Sequence, residues 1–366
     1  MGGPVLAVLG GGQLGRMLGL AALPLGARCR FLDPAPDAGA GAVGELVVGA
    51  LDDPGALDRV AEGADAVTFE WEGVPADAAR RLAARLPVFP GPEALAASQD
   101  RQAEKAAFAR LGIPTAHFAA VDSRVGLARA VDEVGLPALL KTRRGGYDGK
   151  GQHRIDGADD GALDGAWGAL GGVPLILERV VPFTRELSVL AVRDRAGATR
   201  CWPLVENEHR DGILRTSRAP APGVTPELQG RAERYATRLL DEWGYVGVLA
   251  VELFDVDGEL LANEVAPRVH NSGHWTIEGA TTSQFENHVR AVLGWPLGAT
   301  DAVGVSAMVN CIGALPEPGA VLAVPGAHLH VYGKAPRPDR KVGHITVTAS
   351  SPDVLQDRLA QLSAHI

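Results

Sequence analysis

The segment KTRRGGYDGKGQ, residues 141–152, combines the two residue types that bind a polyphosphate. Its glycines allow backbone N–H groups to approach phosphate oxygens closely, and its cations can neutralise phosphate charge. The apolar residues before it predict that the loop follows a buried strand. A Walker A sequence is absent, so we expect another type of phosphate loop, with a solvated basic hairpin as the alternative. The four cations are Lys141, Arg143, Arg144 and Lys150.

A second segment, VELFDVDGELLANE at 251–264, predicts a β-hairpin with two opposed carboxylates. A three-residue loop would place Glu252 opposite Glu264, with Cβ atoms about 5 Å apart. Like charges in that position destabilise a sheet unless a cation lies between them, and Mg²⁺ prefers such oxygen ligands. Asn263 could add an amide oxygen. The alternative is two solvated carboxylates, but Glu252 interrupts an apolar strand, which favours the metal site.

The segment APRVHNSGHW, residues 266–275, follows this hairpin directly and crowds hydrogen-bonding groups into one loop. His270 and His274 resemble half of a zinc site, but no third metal ligand is evident. A polar substrate-binding loop is the favoured interpretation.

A fourth segment, YGKAPRPDRKVGH at 332–344, concentrates positive charge in an otherwise acidic chain. A run of charges is usually a solvated face, yet four cations around a proline-containing turn suggest a second anion site. They are Lys334, Arg337, Arg340 and Lys341.

The N-terminal string VLGGGQLGR, residues 8–16, fits the G-x-G-x-x-G fingerprint of dinucleotide-binding folds. The fingerprint glycines are Gly10, Gly12 and Gly15, and Asp33 follows in the position of a ribose-binding acid. On its own the string would indicate a nicotinamide or flavin oxidoreductase. Because the phosphate and magnesium motifs lie later in the chain, we expect this loop to face the acceptor substrate, with no ribose role for Asp33.

Residues 1–100 alternate strand and helix patterns, which predicts a parallel sheet built from βαβ units. The predicted strands are 5–9, 29–33, 66–71 and 87–90, and the predicted helices are 13–23, 54–63, 75–86 and one long helix over 93–112.

The rest of the chain reads as a small α+β unit followed by a larger strand-rich unit. In 113–181 we predict strands 115–121, 137–142, 152–155 and 174–180 and helices 123–134 and 159–170. Residues 185–350 are strand-rich, interrupted by helices 225–244 and 283–294.

The chain has 366 residues, more than one hydrophobic core usually holds, so two or three domains are expected. Its composition, 46% hydrophobic and 22% charged, is that of a globular protein. A net charge of −9 argues against a nucleic acid as the main partner, because nucleic-acid binders carry a basic field. No stretch reaches about 18 apolar residues and the N-terminus lacks a basic region, so no membrane span or signal peptide is predicted.

The three cysteines, Cys29, Cys201 and Cys311, are far apart and lie in apolar, strand-like contexts. Their spacing suits no zinc site and their odd number excludes a complete disulfide framework. We expect buried apolar side chains and a cytoplasmic, reducing location.

Together these segments resemble the ATP-grasp superfamily and, within it, the N5-carboxyaminoimidazole ribonucleotide synthetase family. The resemblance implies an ATP-grasp fold of mixed α/β and α+β type. It also implies an N-terminal Rossmann-like domain (1–100), a helix with a small lid (101–182) and a C-terminal domain with a β-rich end (183–366). The matching strings are GGGQLGRM, TFEWEGVP, GGYDGKGQ, HRDGILRTS, NEVAPRVHNSGHWT and RPDRKVGH, which together span residues 10–344.

The resemblance also implies an activity, namely the carboxylation of 5-aminoimidazole ribonucleotide with ATP and bicarbonate in purine biosynthesis. Carboxyphosphate is the implied intermediate, and its carboxyl group passes to the exocyclic amine directly or after release of CO2. Mg²⁺ is the implied cofactor, a homodimer the expected assembly, and a downstream mutase the enzyme that takes the product. The alternatives are a ligase that uses formyl phosphate or another acyl phosphate, the oxidoreductase, and a nucleotide-binding regulator without catalysis.

The resemblance assigns site residues by position. The implied nucleotide-binding residues are Arg101, Lys141, Gly146, Tyr147, Asp148, Gly149, Lys150, Gly151, Gln152, Glu178, Arg179, Val180, Val181, Glu186, His209, Asn263 and Glu264, with 178–181 as a strand edge that meets adenine. Glu252 and Glu264 are the implied metal ligands. The implied substrate-binding residues are Gln13, Leu14, Glu70, Lys334, Arg340 and Lys341, and the implied catalytic residues are Tyr147, Asp148, Arg268, His270 and Asn271.

Overall fold

The computed structural model describes residues 2–146, 149–170 and 172–365. The predicted roles of Tyr147 and Asp148 therefore lie outside the described residues. Those described form three sheets, of four, four and nine strands. Among them, no helix has both the length and the apolar character needed to cross a bilayer.

The first sheet is parallel, as predicted, with strand order β3-β2-β1-β4. The sequence pattern missed β3, and the predicted strand at 87–90 is wrong, since it contributes one bridge, Val88 to Val67. Prolines at both ends of that segment lack the N–H that would extend the pairing. The strands are β1 Val5–Leu9, β2 Arg28–Asp33, β3 Glu45–Val48 and β4 Ala66–Phe69, and the helices are α1 Gln13–Ala22, α2 Pro54–Ala61 and α3 Ala76–Ala83.

The predicted long helix over 93–112 is wrong, because the chain forms two helices there, α4 Pro92–Ser98 and α5 Arg101–Arg110. Asp100 breaks the helix with an extended backbone (φ −123°) and caps α5 by accepting hydrogen bonds from the N–H groups of Gln102 and Ala103. An aspartate in this position satisfies N–H groups that a continuous helix would have bonded internally.

The second sheet is antiparallel, with order β5-β8-β6-β7 and helices packed on one face. Because β8 pairs with β5 on one side and β6 on the other, the predicted strand edge at 178–181 is wrong for its first two residues. The elements are β5 Phe118–Val121, α6 Arg124–Val134, β6 Ala138–Thr142, β7 Gln152–Ile155, α7 Asp160–Ala169 and β8 Leu175–Arg179.

The nine-stranded sheet runs β14-β13-β9-β11-β12-β15-β17-β16, with β10 paired to β9. Its strands are β9 Arg185–Arg193, β10 Thr199–Cys201, β11 Val205–Arg210, β12 Ile213–Ala219, β13 Gly247–Val256, β14 Glu259–Ala266, β15 Val305–Ile312, β16 Ala327–Val331 and β17 Lys341–Ala349. The helices of this region are α8 Pro226–Glu242, α9 Thr276–Gly279, α10 Gln284–Leu293, α11 Pro318–Leu322 and α12 Pro352–Ser363.

The large sheet buries apolar side chains on both faces. One face packs against α8 through residues such as Leu239 and Leu249. The other shares a core with α10 and with α1 of the N-terminal unit, where Leu18, Phe285 and Val248 belong to one cluster. The N-terminal sheet and the C-terminal sheet are therefore held together by a continuous hydrophobic core.

Candidate active site

The opposed carboxylates of the hairpin are Glu252 on β13 and Glu264 on β14. The predicted three-residue loop is wrong, since the strands turn through Asp257 and Gly258 alone, with φ of 51° and 89° as in a type I′ turn. Asn263 is an extra residue in β14, a β-bulge that shifts the register by one. The predicted pairing of the two glutamates is therefore confirmed, through a bulge that the sequence pattern did not indicate.

Each of these carboxylates has a nitrogen partner. His270 Nε2 lies 3.1 Å from Oε1 of Glu252, and Arg101 Nη1 donates to Oε2 of Glu264 at 2.7 Å. Burial raises the pKa of Glu252, but the hydrogen bond from His270 and nearby charges, including that of Lys341, outweigh burial and hold the pKa at about 2. Glu252 is therefore ionised at neutral pH.

The carboxylate pair fits a magnesium site that is completed by its substrate. His270 contacts only Oε1 of Glu252, and Arg101 contacts only Oε2 of Glu264. The other oxygen of each carboxylate takes no part in these two pairs. In the described ranges, no group of three or more His, Cys, Asp and Glu side chains has the arrangement of a metal centre. Two hard oxygen donors suit Mg²⁺, which commonly takes few carboxylates and fills its shell with water and substrate phosphates.

On the side of the small sheet, two lysines share one carboxylate. Lys141 Nζ donates to Oε2 of Glu178 at 3.0 Å, and Lys105 Nζ lies 3.5 Å from the same oxygen. Burial raises the pKa of Glu178, but the charges of Lys105, Lys141 and Arg101 outweigh it and hold the pKa at about 2. Lys105 is 1% exposed and also donates to the Asn263 carbonyl at 2.7 Å. It links Glu178 on β8 to the carboxylate hairpin.

The base of the glycine-rich loop is fastened to the start of α5. Arg143 donates through Nε and Nη2 to both oxygens of Asp100, at 3.1 and 2.7 Å. The neighbouring Arg101 donates its N–H to the Arg143 carbonyl at 3.0 Å and Nη2 to the Gly146 carbonyl at 3.2 Å. Arg143 is thus paired with Asp100.

The loop itself connects β6 to β7 and reaches the β11–β12 turn. A Cβ added to Gly149 (φ 74°) would lie 3.2 Å from the Gly212 Cα and 3.3 Å from the Asp211 carbonyl oxygen. Glycine is therefore required both by the backbone conformation and by the close approach. The described residues of the predicted flap are Gly146, Gly149, Lys150, Gly151 and Gln152.

The predicted ribose ligand Glu186 lies on β9 next to β11. His209 Nδ1 is 2.8 Å from its Oε2. Burial lowers the pKa of His209, but the hydrogen bond with Glu186 and the charge of Glu252 outweigh it and raise the pKa. The predicted adenine segment ends β8 at Arg179, and the N–H of Val180 donates to the Pro137 carbonyl at 3.0 Å.

The N-terminal glycine loop binds carboxylates of its own chain. The N–H groups of Gly12 and Gly15 donate to the two oxygens of Glu70 at 2.8 and 3.0 Å. The N–H of Gly11 donates to Asp33 Oδ2 at 2.8 Å. The strand–turn–helix is present as predicted, but its anion is a side chain, so the oxidoreductase alternative loses its supporting feature.

Glu70 also lies close to the C-terminal cations. Burial raises its pKa, while the N–H groups of the glycine loop and the charges of Arg268 and Lys334 oppose that shift. Lys334 Nζ donates to Oε1 of Gln13, and burial lowers the pKa of Lys334. The charges of Arg340 and Lys341 also act on Lys334. The structure thus brings together five of the predicted substrate residues, Gln13, Glu70, Lys334, Arg340 and Lys341. The sixth, Leu14, lies on α1 and packs in the hydrophobic core.

Arg268 lies between this region and the carboxylate pair. It forms an ion pair with Glu72 and donates Nη1 to the Val269 carbonyl at 3.0 Å. Burial lowers its pKa, but the charges of Glu72, Glu70 and Glu252 outweigh burial and raise it. The predicted catalytic arginine therefore sits where the N-terminal and C-terminal units meet.

The polar loop after β14 contains His270, Asn271 and His274 in different environments. His270 accepts the N–H of Ser272 and so caps the short 3₁₀ turn Asn271–Gly273. Asn271 exchanges two hydrogen bonds with Asn310, at 3.1 and 2.7 Å. His274 is 1% exposed and packs against His344, with ring centroids 4.8 Å apart, so it is a core residue.

Three charged residues of this region escaped the sequence analysis. Lys105 and Glu104 occupy adjacent buried positions on α5, where a helix pattern gives no sign of a site. Arg215 is the extra residue at a β-bulge of β12, and its buried Nε makes no hydrogen bond within the part of the chain that the structure describes. The string HRDGILRTS contains Arg215, so its position in a matching motif was the available signal.

Three family models match successive parts of the chain. They are the ribonucleotide synthetase preATP-grasp domain at residues 5–99, the ATP-grasp domain at 106–285 and the phosphoribosylaminoimidazole carboxylase C-terminal domain at 306–358. These matches and the three sheets place the chain in the ATP-grasp class and confirm the predicted fold class.

Individual relatives match over almost the whole chain. The N5-carboxyaminoimidazole ribonucleotide synthase of Pseudomonas aeruginosa is 53% identical over 99% of both chains. The crystal structure of the Thermus thermophilus synthetase is 58% identical, with a TM-score of 0.95 over 99% of this chain and 98% of that one. An Aspergillus clavatus synthase, solved with ADP and 5-aminoimidazole ribonucleotide, is 31% identical with a TM-score of 0.91 over 99% and 98%. The chain belongs to the N5-carboxyaminoimidazole ribonucleotide synthase family.

Proposed function

We propose that this chain carboxylates 5-aminoimidazole ribonucleotide on its exocyclic amine, using ATP and bicarbonate and releasing ADP and phosphate. The observation that carries the proposal is one unbroken series of charged groups. It runs from Lys141 and Glu178, across the carboxylates Glu252 and Glu264, to Glu70 and Lys334. A site of this form offers a nucleotide end, a metal-binding centre and an anion-binding acceptor end. The relative solved with ADP and the ribonucleotide supports the same assignment.

The reaction needs two substitutions and no covalent protein intermediate. A bicarbonate oxygen attacks the γ-phosphorus of ATP, the bond to the β-phosphate oxygen breaks, and ADP leaves carboxyphosphate behind. The amine of the ribonucleotide then attacks the carboxyl carbon, phosphate leaves and the amine loses a proton. Such phosphoryl transfer depends on positioning and charge neutralisation, and this site provides cations and carboxylates for both.

The residues divide this work by position. Lys141 and Arg101 neutralise phosphate charge, and Glu252 and Glu264 hold magnesium, which supplies further neutralisation when bound. Arg268 donates hydrogen bonds toward bicarbonate between the two ends, and His270 lies beside it with Nε2 donating to Glu252. The β6–β7 loop covers the reacting groups and excludes water, which would hydrolyse carboxyphosphate. The remaining nucleotide and substrate residues keep the roles that the resemblance implies.

The test is the dependence of ADP release on each substrate. We expect ADP release with the ribonucleotide in bicarbonate-depleted buffer to fall to background and to recover on adding bicarbonate. Undiminished release without bicarbonate would overturn the proposal in favour of another acyl-phosphate ligase. ATP binding without ADP release under any condition would indicate a non-catalytic regulator.

A matched pair of variants on β14 tests the metal-binding centre. Glu264→Gln should lower turnover about 100- to 1,000-fold, because it removes a charge at the reacting phosphate. Glu259→Gln, an exposed carboxylate on the same strand, should leave turnover unchanged. Near-normal turnover of Glu264→Gln would contradict the magnesium assignment.

We also propose a cytoplasmic location, a homodimer and transfer of the product to a mutase. All three cysteines are free, which suits a reducing compartment. The dimer and the mutase rest on the family resemblance, and light scattering of the purified protein tests the dimer.

A further inference from the structure

Arg215 on β12 is an arginine of the large sheet without an anionic partner. Its Nε is buried and makes no hydrogen bond within the described residues, and its guanidinium forms no ion pair with any of their carboxylates. By contrast, Arg101, Arg143 and Arg268 each pair with a carboxylate. Removing a charged donor from water is costly unless an acceptor replaces the lost hydrogen bonds. The donors of Arg215 are therefore free to bind an acceptor from outside the chain.

A β-bulge determines which face of the sheet Arg215 occupies. Glu208 of β11 pairs with Thr216, and His209 pairs with Leu214, so Arg215 is inserted between the two pairs. Thr216 lines a surface pocket together with residues of α12, on the outer face of the sheet. Because side chains alternate along a strand, Arg215 lies on the inner face. Bulges beside active sites commonly redirect a side chain in this way.

On one side, Arg215 neighbours Asn310 of β15. The pairing of β12 with β15 places these two residues at adjacent positions. Asn310 Nδ2 donates to the carbonyl of Leu214, the residue before Arg215, at 2.9 Å. The other contact of Asn310 is with Asn271, a predicted catalytic residue of the polar loop after β14. Arg215 therefore lies beside the part of the loop that faces the sheet.

On the other side, Arg215 neighbours His209 and the metal-binding centre. Burial and the hydrogen bond with Glu186 act most strongly on the pKa of His209, and the charges of Glu252 and Lys341 also act on it. His209 is on β11 and Lys341 is on β17, and β12 lies between these strands in the order of the sheet. Arg215 is thus placed between the carboxylate pair and the C-terminal cations, on the acceptor side of the metal-binding centre.

We propose that Arg215 binds the phosphoryl group that ATP gives up, by donating hydrogen bonds to the phosphate oxygens of carboxyphosphate and then of the phosphate released from it. The inference deepens the proposed function and rests on it. Lys141 and Arg101 neutralise charge on the nucleotide side of the carboxylate pair, whereas Arg215 neutralises the group that has left the nucleotide. A planar guanidinium suits two oxygens of one phosphate. Arg215 forms no covalent bond in either substitution.

The first experiment measures the affinity for inorganic phosphate from the melting temperature, with Mg²⁺ and ADP bound. Ribose 5-phosphate is present throughout to occupy the acceptor's own phosphate site. Arg215→Met should bind phosphate about 10- to 100-fold more weakly than wild type, the value of hydrogen bonds to a charged group. Arg218→Met, an exposed arginine three residues along β12, should bind it as wild type does. Equal affinity of wild type and Arg215→Met, or no phosphate binding to wild type, would overturn the proposal.

A second variant, Arg215→Gln, covers the case in which Arg215→Met does not fold, because it removes the charge and keeps a polar side chain. In either variant turnover should fall about 10- to 100-fold, with the KM for the ribonucleotide within twofold of wild type. Normal turnover would overturn the proposal, as would a rise confined to the KM for the ribonucleotide, which would place Arg215 at the acceptor. If phosphate binding depends on Arg215 in a wild-type protein that does not carboxylate, only the proposed function fails.

Discussion

At the scale of single residues, the glycine loop shows why particular side chains are excluded. Gly10 has φ of 102°, and a Cβ added there would lie 2.6 Å from Cγ of Glu70. A Cβ added to Gly12 would lie 2.7 Å from Oε1 of the same carboxylate. The loop needs glycine because Glu70 fills the space that a phosphate occupies in dinucleotide-binding folds.

Gly10→Ala should therefore destabilise the protein by about 1–3 kcal/mol through strain and overpacking against Glu70. Gly165→Ala is the matched control, because Gly165 is exposed in α7 and has open space at its Cβ. There alanine should be neutral or should stabilise by about 0.5–1 kcal/mol. Denaturant unfolding of both variants measures the difference, and equal stabilities would contradict the close packing of Glu70 on the loop.

A second prediction at this scale concerns the acceptor end of the site. The charge of Lys341 affects the pKa values of Glu252, His209 and Lys334. Lys341 therefore lies between the metal-binding centre and the C-terminal cations. Lys341→Met should raise the KM for the ribonucleotide about 10- to 100-fold, the value of a hydrogen bond to a charged group, with a smaller change in the KM for ATP. Arg200→Met, an exposed cation on β10, is the control. An increase confined to the KM for ATP would place Lys341 at the nucleotide end of the site and would contradict this assignment.

At the scale of elements, α5 covers the edge of the large sheet. The edge strand β14 donates the N–H of Val265 to Glu104 Oε1 at 2.7 Å, and the N–H of Ala262 to the Pro114 carbonyl at 2.7 Å. Covering an edge in this way prevents its pairing with another chain. It also holds β14, with Glu264, at a fixed distance from Arg101 on the same helix.

Glu104 gives this contact a pH dependence. Burial and the charge of Glu264 raise its pKa from 4.5 to about 8. Between these values the folded chain binds a proton that the unfolded chain has lost, so the free energy of unfolding falls as the pH rises from 4.5 through about 8. Glu104→Gln keeps an oxygen acceptor for the Val265 N–H but has no ionisable group, so it removes this pH dependence of the free energy of unfolding.

The melting temperature of Glu104→Gln relative to wild type should therefore rise between pH 6 and pH 9. Glu62→Gln, at an exposed position, should show the same difference from wild type at both pH values. A constant offset for Glu104→Gln would mean that the buried carboxyl is already ionised at pH 6.

The sequence predicted the elements better than the contacts between them. Hydrophobic periodicity located most strands and helices, because it reflects burial within each segment. The break at Asp100 was missed, since its capping role depends on a local backbone turn and its partner Arg143 is distant in sequence. The bulge at Asn263 left the predicted glutamate pair correct although the predicted loop was one residue too long.

At the scale of the whole molecule, the site forms where three units meet. Arg268 pairs with Glu72 across the N-terminal and C-terminal units, and Lys334 bonds Gln13 in the same region. The small sheet joins through Asp100 and Arg143. Motif strings located these residues along the chain, but pairs so far apart in sequence follow only from the packing of the units.

The central claim is that one site transfers a phosphoryl group from ATP to bicarbonate and then a carboxyl group to the ribonucleotide. The most direct test uses ¹⁸O-labelled bicarbonate with unlabelled ATP and water, followed by mass analysis of the phosphate released. We predict that one ¹⁸O appears in each phosphate and that ADP and the carboxylated product form in equal amounts. Phosphate without ¹⁸O, or ADP release that continues in the absence of bicarbonate, would contradict the account.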